Sequence, residues 1–338
     1  MTRPVFGSLT RIADLPTRPF ELAPRPRGEW RTGDYVGGRV IDTRGRLHGI
    51  ELACGRLVEV MEGDLVIGAL GHRAATLEAV GSWEAIDGDE FEALTPAGLF
   101  GKLTSKSPFL RPLMRLQYQG HALRDGARLT MPGSLGPAPV APEGSVPAPV
   151  VLVVGTSMSA GKTLSGRVIV HLLTGLGLRV VGVKLTGAAR FRDVLSFGDA
   201  GAAAVFDFVD AGLPSTVCSA VEYRAALRYL LARVAAAAPD VIVAEAGASP
   251  LEPYNGKTAM AMLDGRIRFQ LLCAQDPYAV LGVQTAFARK PDLVAGGAAN
   301  TSAGIDLVRE LTGLPALNLC DQRAWPQLQA MLRRALAV

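Results

Sequence analysis

Residues 149–163 read Pro149-Val-Val-Leu-Val-Val-Gly155-Thr-Ser-Met-Ser-Ala-Gly161-Lys162-Thr163, and this segment determines how the rest of the chain is interpreted. The apolar, β-branched run at 150–154 lies between a proline and a glycine, which is typical of a strand that is buried on both faces. After a short loop, apolar residues recur at helical spacing, at Leu164, Val168, Ile169 and Leu172. The segment therefore predicts a strand, a tight loop and a helix.

The loop has the composition of a phosphate-binding loop (P-loop). Its backbone N–H groups and the helix N-terminus attract an anion without any help from a side chain. Lys162 would reach the β- and γ-phosphates, and the Thr163 hydroxyl would ligate Mg²⁺. The common spacing would put the first glycine at Thr156, whereas this chain has it at Gly155. The residues predicted to bind the nucleotide here are Gly155, Ser157, Met158, Ser159, Ala160, Gly161, Lys162, Thr163 and Leu164.

Length and patterning predict two domains. A chain of 338 residues exceeds the roughly 100–200 residues of one domain. Residues 1–131 read as an extended arm, up to 32, followed by a small β-rich, barrel-like domain of short alternating runs. Prolines and glycines at 132–149 predict a linker. Residues 150–338 alternate strand and helix, which predicts an α/β fold, a P-loop domain with a parallel sheet and helices on both faces.

Composition excludes several classes of protein. The net charge of +4 is small for this length, so no nucleic-acid partner is expected. A local excess of arginines reads as a solvated face: Arg25, Arg27, Arg31, Arg39, Arg44 and Arg46. Four separated cysteines show no metal or redox spacing, which favours a reducing, cytoplasmic location. No run of 18 apolar residues occurs, so no membrane partner is expected.

The elements of the second domain can be predicted from the same patterns. The predicted strands are 150–154, 179–184, 215–218, 240–245, 268–274, 292–296 and 315–319, and the predicted helices are 162–176, 194–206, 222–237, 277–288, 302–313 and 324–336. Ligands of such sheets bind at the carboxyl ends of the strands. The polar residues that follow each strand are therefore the candidates for a site.

Candidate residues follow the second and fourth strands. Lys184 would hold a phosphate or an anionic substrate and stabilise charge during transfer. The acid Glu245 ends an apolar strand and suits a Walker-B-like role, with Mg²⁺ bridging it to Thr163 from two strands away. Asp193 is favoured over Asp199 as the further metal carboxylate.

Other residues at this edge are candidates for the substrate and the base. Those expected to contact substrate are Thr186, Gly187, Arg190, Arg192, Tyr254 and Asn255. Asp276 is expected to cap a helix whose first residue is Pro277. Asn300 either reads a purine edge with its amide or caps the following helix.

The loop Gly155–Thr163 resembles the Gly-Thr-Asp-Thr-x-x-Gly-Lys-Thr loop of dethiobiotin synthetase and its cobyrinate-amidating relatives. Lys184-Leu-Thr-Gly187 resembles their Lys-Pro-x-x-(Ser/Thr)-Gly segment, and Glu245-Ala-Gly247 resembles their Glu-Gly-Ala-Gly metal loop. The resemblance covers about 150–320 and implies a P-loop NTPase fold, with ATP and Mg²⁺ as cofactors.

The residue roles implied by this resemblance match the interpretation above. They put Lys162 and Lys184 on phosphate and substrate as catalytic residues, Thr163, Glu245 and an aspartate on Mg²⁺, and Asn300 on the base. The chain departs from the pattern at Ser157, which replaces the loop aspartate, and at Ala246, which replaces a glycine; no proline follows Lys184. These departures leave the substrate open.

The two-domain layout is also similar to that of a D-glutamate N-acetyltransferase and related P-loop proteins, in which an unrelated N-terminal domain precedes the P-loop domain. That resemblance implies a loop that holds the diphosphate of acetyl-CoA. Acyl transfer would then need no γ-phosphate.

The leading hypothesis is an ATP- and Mg²⁺-dependent enzyme that phosphorylates a small carboxylate- or amine-bearing metabolite or activates it for ligation. The alternatives are a CoA-dependent N-acyltransferase, a nucleotide-binding regulatory module, and slow intrinsic hydrolysis as in a switch or a metallochaperone-like protein. We expect a homo-oligomer, because this fold often completes its site across a dimer.

Overall fold

The structure is a computed structural model that describes residues 4–43, 48–139, 146, 148–247, 249–286 and 290–338. The chain divides into two units. The first comprises Met1–Pro137, Ala188–Arg192 and Phe208–Ser219, and the second comprises Ala138–Gly187, Asp193–Asp207 and Ala220–Val338. Two segments of the predicted P-loop domain thus group with the first unit. Residues 140–145 and 147 of the predicted linker lie outside the described residues.

The first unit is built from β-strands, as predicted. They are β1 Val5–Phe6, β2 Glu21–Ala23, β3 Tyr35–Asp42, β4 His48–Glu51, β5 Leu57–Val60, β6 Leu65–Leu70, β7 His72–Ala75, β8 Ala79–Ser82, β9 Glu90–Thr95, β10 Leu99–Lys106, β11 Arg115–Arg124 and β12 Ala127–Arg128. The sheet runs β1-β6-β3-β11-β9-β10-β8-β7, and β10 also pairs with β6, which closes a ring. Inward residues such as Phe91, Phe100 and Leu116 form its core.

Short 3-10 helices complete the first unit. They span Ser8–Ile12, Arg27–Glu29, Trp83–Ala85, Pro132–Ser134 and Phe208–Ala211. The segment 95–98 is the turn between β9 and β10, where Gly98 has a φ of +84°. Glycine tolerates this backbone region, so the chain can reverse there.

The N-terminal segment does not form the extended arm that its composition suggested. Trp30 is buried, its ring centroid lies 4.6 Å from that of Tyr118, and its Nε1 donates to the Arg25 carbonyl at 2.9 Å. The Arg27 guanidinium lies 3.7 Å above the Trp30 ring, and Arg39 donates to the Gly63 carbonyl at 3.0 Å. Arg27 also donates to the Gly88 carbonyl at 2.7 Å, so part of the basic cluster packs the segment onto the barrel. Arg44 and Arg46 lie outside the described residues.

The second unit alternates strands and helices. Its elements, with α2 starting in the first unit's segment, are β13 Val150–Gly155, α1 Lys162–Gly175, β14 Val180–Thr186, α2 Phe191–Asp199, β15 Ala204–Asp207, α3 Ala220–Ala236, β16 Val241–Ala246, α4 Gly256–Leu263, β17 Ile267–Cys273, α5 Pro277–Ala286, β18 Leu293–Ala295, α6 Ser302–Thr312 and α7 Trp325–Leu336. Two further 3-10 helices span Gly297–Ala299 and Gln322–Ala324.

The sheet of the second unit is parallel, with the order β15-β14-β16-β13-β17-β18. Helices flank it, so the predicted fold class is confirmed. The order also corrects one expectation: Glu245 is the penultimate residue of β16, which pairs directly with β13, so the acid is one strand away from the loop strand and not two. A short path between the two strand ends favours contact between the acid and the loop.

Three predicted elements differ from the structure. Residues 194–206 were predicted as one helix, but α2 ends at Asp199 and β15 begins at Ala204. The predicted strands at 215–218 and 315–319 are only isolated bridges, at Ser215 and Ala316. Pairing with β14 overrides the helical propensity of the alanines before Val205, which is a tertiary effect that propensity does not contain.

Close approach between elements fixes α2 against the sheet. A Cβ on Gly166 of α1 would lie 2.6 Å from the Phe197 ring, and a Cβ on Gly182 of β14 would lie 2.7 Å from it. The ring is fully buried. Two glycines therefore make the slot into which α2 inserts its aromatic side chain. Within the described part of the chain, no helix is both long and apolar enough to span a bilayer.

Candidate functional site

The loop between β13 and α1 has the backbone of an anion cradle. Gly161 stands before the first helical residue with a φ of +98°, and Ser159 also has a positive φ, of +62°. A Cβ on Gly155 would lie 2.8 Å from Cδ of Lys162. The lysine side chain thus folds back over the first glycine of the loop, which explains why that position carries no side chain.

Backbone amides at the end of this loop are available to a ligand. The N–H of Thr156 donates to the Cys273 carbonyl at 3.0 Å and anchors the start of the loop on β17. Among the described residues, the N–H groups of Gly161, Lys162 and Thr163 donate no hydrogen bond. Such groups at a helix N-terminus bind phosphate, and the helix dipole adds to the attraction.

Lys162 is buried and bonded to its own loop. Its Nζ donates to the Ser157 carbonyl at 2.7 Å, and the residue is only 5% exposed. Burial lowers the pKa of the ammonium, an effect that the nearby Glu245 carboxylate opposes. An anionic phosphate in the cradle would supply a stronger partner than the carbonyl and would stabilise the charged form.

Glu245 and Thr163 contact each other across neighbouring elements. Glu245 is paired in register with Val153 of β13, and its Oε2 accepts a hydrogen bond from Thr163 Oγ1 at 3.1 Å. Burial raises the pKa of this carboxyl, and Lys184 opposes the shift. The structure thus brings together the hydroxyl and the acid that the sequence assigned to one metal ion.

Lys184 lies among carboxylates. In the sheet it pairs in register with Glu245 on one side and Asp207 on the other. Its Nζ lies 2.5 Å from Oδ2 of Asp193. Burial disfavours the ammonium, but these carboxylates outweigh burial and raise the pKa of Lys184. The Lys184 side chain therefore stays protonated, and neighbouring carboxylates already balance its positive charge. The sequence had instead suggested a lysine whose charge was available to an anionic ligand.

Three oxygen-bearing side chains, two of them in contact with each other, are the candidates for holding a magnesium ion. A hydroxyl and the carboxylates of Glu245 and Asp193 are hard oxygen ligands, which Mg²⁺ prefers. Asp199, the alternative, is exposed at the far end of α2, two turns after Asp193. No cluster of three His, Cys, Asp or Glu side chains suited to a metal occurs in the described ranges.

Thr186 and Gly187 follow Lys184 at the end of β14. Thr186 is fully buried, and its hydroxyl donates to the Gly247 carbonyl at 3.1 Å. Its side chain therefore ties the end of β14 to the loop after β16. Gly187 has a φ of +132°, which turns the chain sharply beside Lys184. Substrate contact by either residue stays a prediction.

Arg190 and Arg192 are exposed and belong to the first unit. Within that unit, Glu51 carries a buried carboxylate that accepts hydrogen bonds from the backbone N–H groups of Phe191, at 2.7 Å, and Arg192, at 2.9 Å. Its Oε2 also accepts from the Ser8 hydroxyl at 2.6 Å. Sequence patterns could not reveal this contact, because its partners are about 140 residues apart. The anion-binding role of the two arginines stays a prediction.

Tyr254 and Asn255 precede α4, Gly256–Leu263, a helix that is absent from the predicted elements. Tyr254 is fully buried, so we assign it to the core rather than to a substrate surface. Asn255 adopts a left-handed backbone with a φ of +63°, and its Oδ1 accepts from the Thr258 hydroxyl at 3.3 Å. Asparagine is one of the few residues that adopts this conformation readily.

The caps of two later helices are now clear. Asp276 Oδ1 accepts from the Ala279 N–H at 2.9 Å, which confirms its predicted capping role. Helix α6 is capped by Thr301, whose Oγ1 accepts from the Gly304 N–H at 3.1 Å, so Asn300 is not its cap. Asn300 is exposed, and the reading of a base by its amide stays a prediction.

Two residues that were not predicted as site residues lie next to the loop. Gln275 Nε2 donates to the Ser159 carbonyl at 3.0 Å and holds the strained part of the loop. Cys273 is fully buried, its Sγ lies 3.3 Å from Ser165 Oγ, and burial raises the pKa of the thiol to about 11. Both lie at the end of β17, which is the strand that pairs with β13 on the side opposite Glu245. The two residues could not be predicted from the sequence, because their position beside the loop depends on the order of the strands in the sheet.

This parallel sheet, with a strand that leads through a glycine-bearing loop into Gly161-Lys162-Thr163 at a helix N-terminus, is the fold of a P-loop NTPase domain. No protein-family model matches the chain, and no curated protein sequence matches it.

Several solved structures resemble parts of the chain. HypB from Helicobacter pylori in complex with nickel is 15% identical, with a TM-score of 0.38 over 56% of this chain and 88% of that one. A DUF1611 family protein from Anabaena variabilis is 19% identical, with a TM-score of 0.36 over 60% and 61%. The signal recognition particle receptor FtsY from Elizabethkingia anophelis is 14% identical, with a TM-score of 0.35, and the match spans 50% of this chain and 56% of that chain. At these TM-scores the fold assignment depends on the chain's own sheet and loop.

Proposed function

We propose that this protein is an ATP- and Mg²⁺-dependent enzyme that phosphorylates a small metabolite or activates it for ligation. The observation that carries the proposal is the grouping at one sheet edge of free loop amides, the ammonium of Lys162 and the Thr163–Glu245 contact. A hydroxyl and carboxylates beside a phosphate cradle favour a metal–nucleotide ligand over a metal-free CoA ester.

Each residue has a defined task in this proposal. The amides of Gly161, Lys162 and Thr163 bind the phosphate chain, and the Lys162 ammonium leaves the Ser157 carbonyl for the β- and γ-oxygens. Thr163, Glu245 and Asp193 would hold Mg²⁺, which when bound neutralises charge on the phosphate oxygens. Because positioning and charge stabilisation supply most of the rate in phosphoryl transfer, no covalent step on the protein is required.

Lys184 would act in concert with Asp193. The sheet register fixes its backbone beside Glu245, and its ammonium pairs with Asp193 at 2.5 Å, so loosening of that pair would free a further N–H for an anion. Recruitment of Asp193 to a metal ion would loosen that pair. For the substrate we keep the proposal that the exposed Arg190 and Arg192 bind a carboxylate. A homo-oligomer likewise stays a proposal, and sedimentation velocity would test it.

Ligand-induced stabilisation tests the class of cofactor. Wild-type protein is melted with ATP plus Mg²⁺ and, separately, with acetyl-CoA without metal. A ligand at a hundredfold excess over its Kd stabilises the folded state by about 2.7 kcal/mol. We expect ATP plus Mg²⁺ to raise the melting temperature. A shift with acetyl-CoA alone would instead favour the acyltransferase, and no shift with either ligand would contradict nucleotide binding.

Turnover tests the class of reaction. ADP release is measured with ATP, Mg²⁺ and panels of small carboxylates and amines. We expect at least one acceptor to raise ADP release well above the rate with ATP alone. If ATP binds but no acceptor changes the rate, the protein is better described as a nucleotide-binding regulatory module.

A further inference from the structure

The loop after β18 lies directly against the phosphate-binding loop. Gly296 has a φ of +82°, and a Cβ there would lie 2.3 Å from the Ala160 carbonyl oxygen. A Cβ on Gly161 would lie 3.3 Å from Cα of Gly296. Gly296 is thus the point at which the segment 296–301, called the wall below, touches the phosphate-binding loop, and Asn300 is exposed four residues further along the wall.

One side chain joins this wall to the next loop of the chain. Asn318 Nδ2 donates to the Asn300 carbonyl at 3.1 Å, and Asn318 Oδ1 accepts from the Cys320 N–H at 3.0 Å. The amide has one orientation that satisfies both bonds, since its oxygen must face an N–H and its nitrogen must face a carbonyl. The bond from Cys320 thus fixes the orientation of the Asn318 amide, and the amide nitrogen in turn holds the Asn300 carbonyl.

A base reader needs such a fixed support. The amide of an asparagine can donate an N–H to N7 of adenine and accept from its N6–H with the oxygen, provided that the backbone holds it within about 0.5 Å of the right position. Within the wall, the Asn300 N–H donates to the Gly297 carbonyl at a long 3.3 Å. The bond from Asn318 is shorter and comes from a separate segment.

We propose that Asn318 is a positioning residue that orients Asn300 toward the adenine of an adenosine diphosphate moiety bound in the P-loop. The inference rests on the proposed function, since it needs a nucleotide in the cradle. An adenosine diphosphate moiety is shared by ATP and acetyl-CoA, so the role of Asn318 is the same for either ligand.

The test separates the base from the phosphates. Affinities for ADP and for pyrophosphate are measured by calorimetry on wild type and on Asn318→Asp. The aspartate keeps the acceptor for Cys320 but presents an oxygen to the Asn300 carbonyl, so it breaks only the bond between the two loops. We expect ADP affinity to fall about tenfold, a typical effect of one lost hydrogen bond, and pyrophosphate affinity to stay unchanged.

A control and a double variant sharpen the result. Gln322→Glu adds the same negative charge on an exposed residue nearby, and it should leave both affinities unchanged. Asn300→Ala should itself weaken ADP, and in that background Asn318→Asp should have no further effect, because coupled residues are non-additive. Affinities for ATP plus Mg²⁺ and for acetyl-CoA, measured on the same variants, identify which of the two carries the recognised moiety.

Two outcomes would overturn the inference alone: equal loss of ADP and pyrophosphate affinity in Asn318→Asp, or no loss of either. Full additivity with Asn300→Ala would also overturn it. If wild-type protein binds neither pyrophosphate nor ADP, the proposed function fails first, and that result is distinct from the others.

Discussion

Lys162 shows how burial and charge oppose each other at a single residue. Lys162 is 5% exposed and its ammonium has a neutral carbonyl as its hydrogen-bond acceptor, so burial lowers the pKa of the ammonium. An anion bound next to such a buried ammonium stabilises its protonated form. Within the part of the chain that the structure describes, the N–H groups of Gly161, Lys162 and Thr163 donate no hydrogen bond, and the proposed phosphate would satisfy both them and the ammonium.

Replacing Lys162 with methionine tests this view. The substitution keeps the aliphatic stem that packs against Gly155 and removes only the charge. We expect ATP affinity to fall on the order of 100-fold, since two charge-assisted hydrogen bonds of about 1.5 kcal/mol each are lost. The ligand-free melting temperature should stay equal or rise, because a buried charge is gone. Calorimetry and thermal melts measure the two effects, and unchanged ATP affinity would refute the site.

Cys273 gives a pH-dependent prediction. Burial raises the pKa of its thiol to about 11 from an unfolded value near 9. The folded state therefore favours the protonated thiol, and the stability that results is complete below about pH 9 and is lost as pH rises to about 11. The loss amounts to at most about 3 kcal/mol. Denaturant unfolding of wild type and Cys273→Ser across this range measures it: the stability difference should shrink, and a constant difference would contradict the assignment.

Alkylation at neutral pH gives an independent check at the same residue. Cys54 and Cys320 are exposed and Cys273 is buried. We expect iodoacetamide to modify the two exposed thiols in native protein and to reach Cys273 only after unfolding. Mass spectrometry of tryptic peptides reports each site. Rapid labelling of Cys273 in native protein would mean that β17 does not end in the core.

At the scale of elements, the strand and helix around the loop could be predicted because their signal is local. An apolar β-branched run, glycines and an amphipathic repeat occur within residues 150–172. Elements whose formation depends on distant partners could not be predicted. Strand β15 exists because it pairs with β14, and Glu51 finds the N–H of Phe191 across about 140 residues. The candidate site follows the same division: Lys162, Thr163 and Glu245 carry motif signals, whereas Asn318 carries none.

Substitutions of Glu245 in β16 and of Asp193 in α2 should change the Mg²⁺ dependence of ATP turnover, whereas substitution of Lys162 should weaken ATP binding itself. Glu245→Gln and Asp193→Asn each remove a negative charge from the proposed Mg²⁺ site and leave the size and shape of the side chain nearly unchanged. We expect both to raise the Mg²⁺ concentration needed for half-maximal ATP turnover by about tenfold or more, with pyrophosphate binding without metal retained. Turnover measured across a Mg²⁺ titration reports this. Wild-type Mg²⁺ dependence in both variants would exclude the two carboxylates from the metal.

The loop after β16 is packed too tightly for a side chain. A Cβ on Gly247 would lie 2.1 Å from the Thr186 carbonyl oxygen, which is backbone and cannot move aside alone. Gly247→Ala should lower the free energy of unfolding by about 1–3 kcal/mol. Gly282→Ala is the matched control: it lies inside α5 with no atom near its Cβ position, and it should raise stability by up to about 1 kcal/mol. Chemical denaturation compares them, and equal effects would contradict the packing.

At the scale of the whole molecule, the two units do not correspond to two continuous halves of the sequence. Residues 188–192 and 208–219 lie in the second half of the sequence but belong to the first unit. Their contacts there are specific. Asp210 pairs with Arg11 at 2.9 Å, and a Cβ on Gly71 would lie 3.1 Å from Cγ of Pro214. We therefore expect that a cut at the proline-rich segment does not separate two self-sufficient halves.

A truncated chain tests this consequence. The fragment 150–338 retains the sheet, the loop and Lys162, but residues 208–219 lose the partners that bury Phe208 and Val209 in the full chain. Exposed apolar side chains and a lost ion pair should leave the fragment less stable and prone to association. We expect it to melt well below the full chain and to bind ATP more weakly, although every proposed phosphate contact is present. Thermal melts, sedimentation velocity and ATP titration of both chains measure this. A fragment that is monomeric and melts at the full-chain temperature would show that 208–219 needs nothing from the first unit, and a cut at residue 149 would then be a true domain boundary.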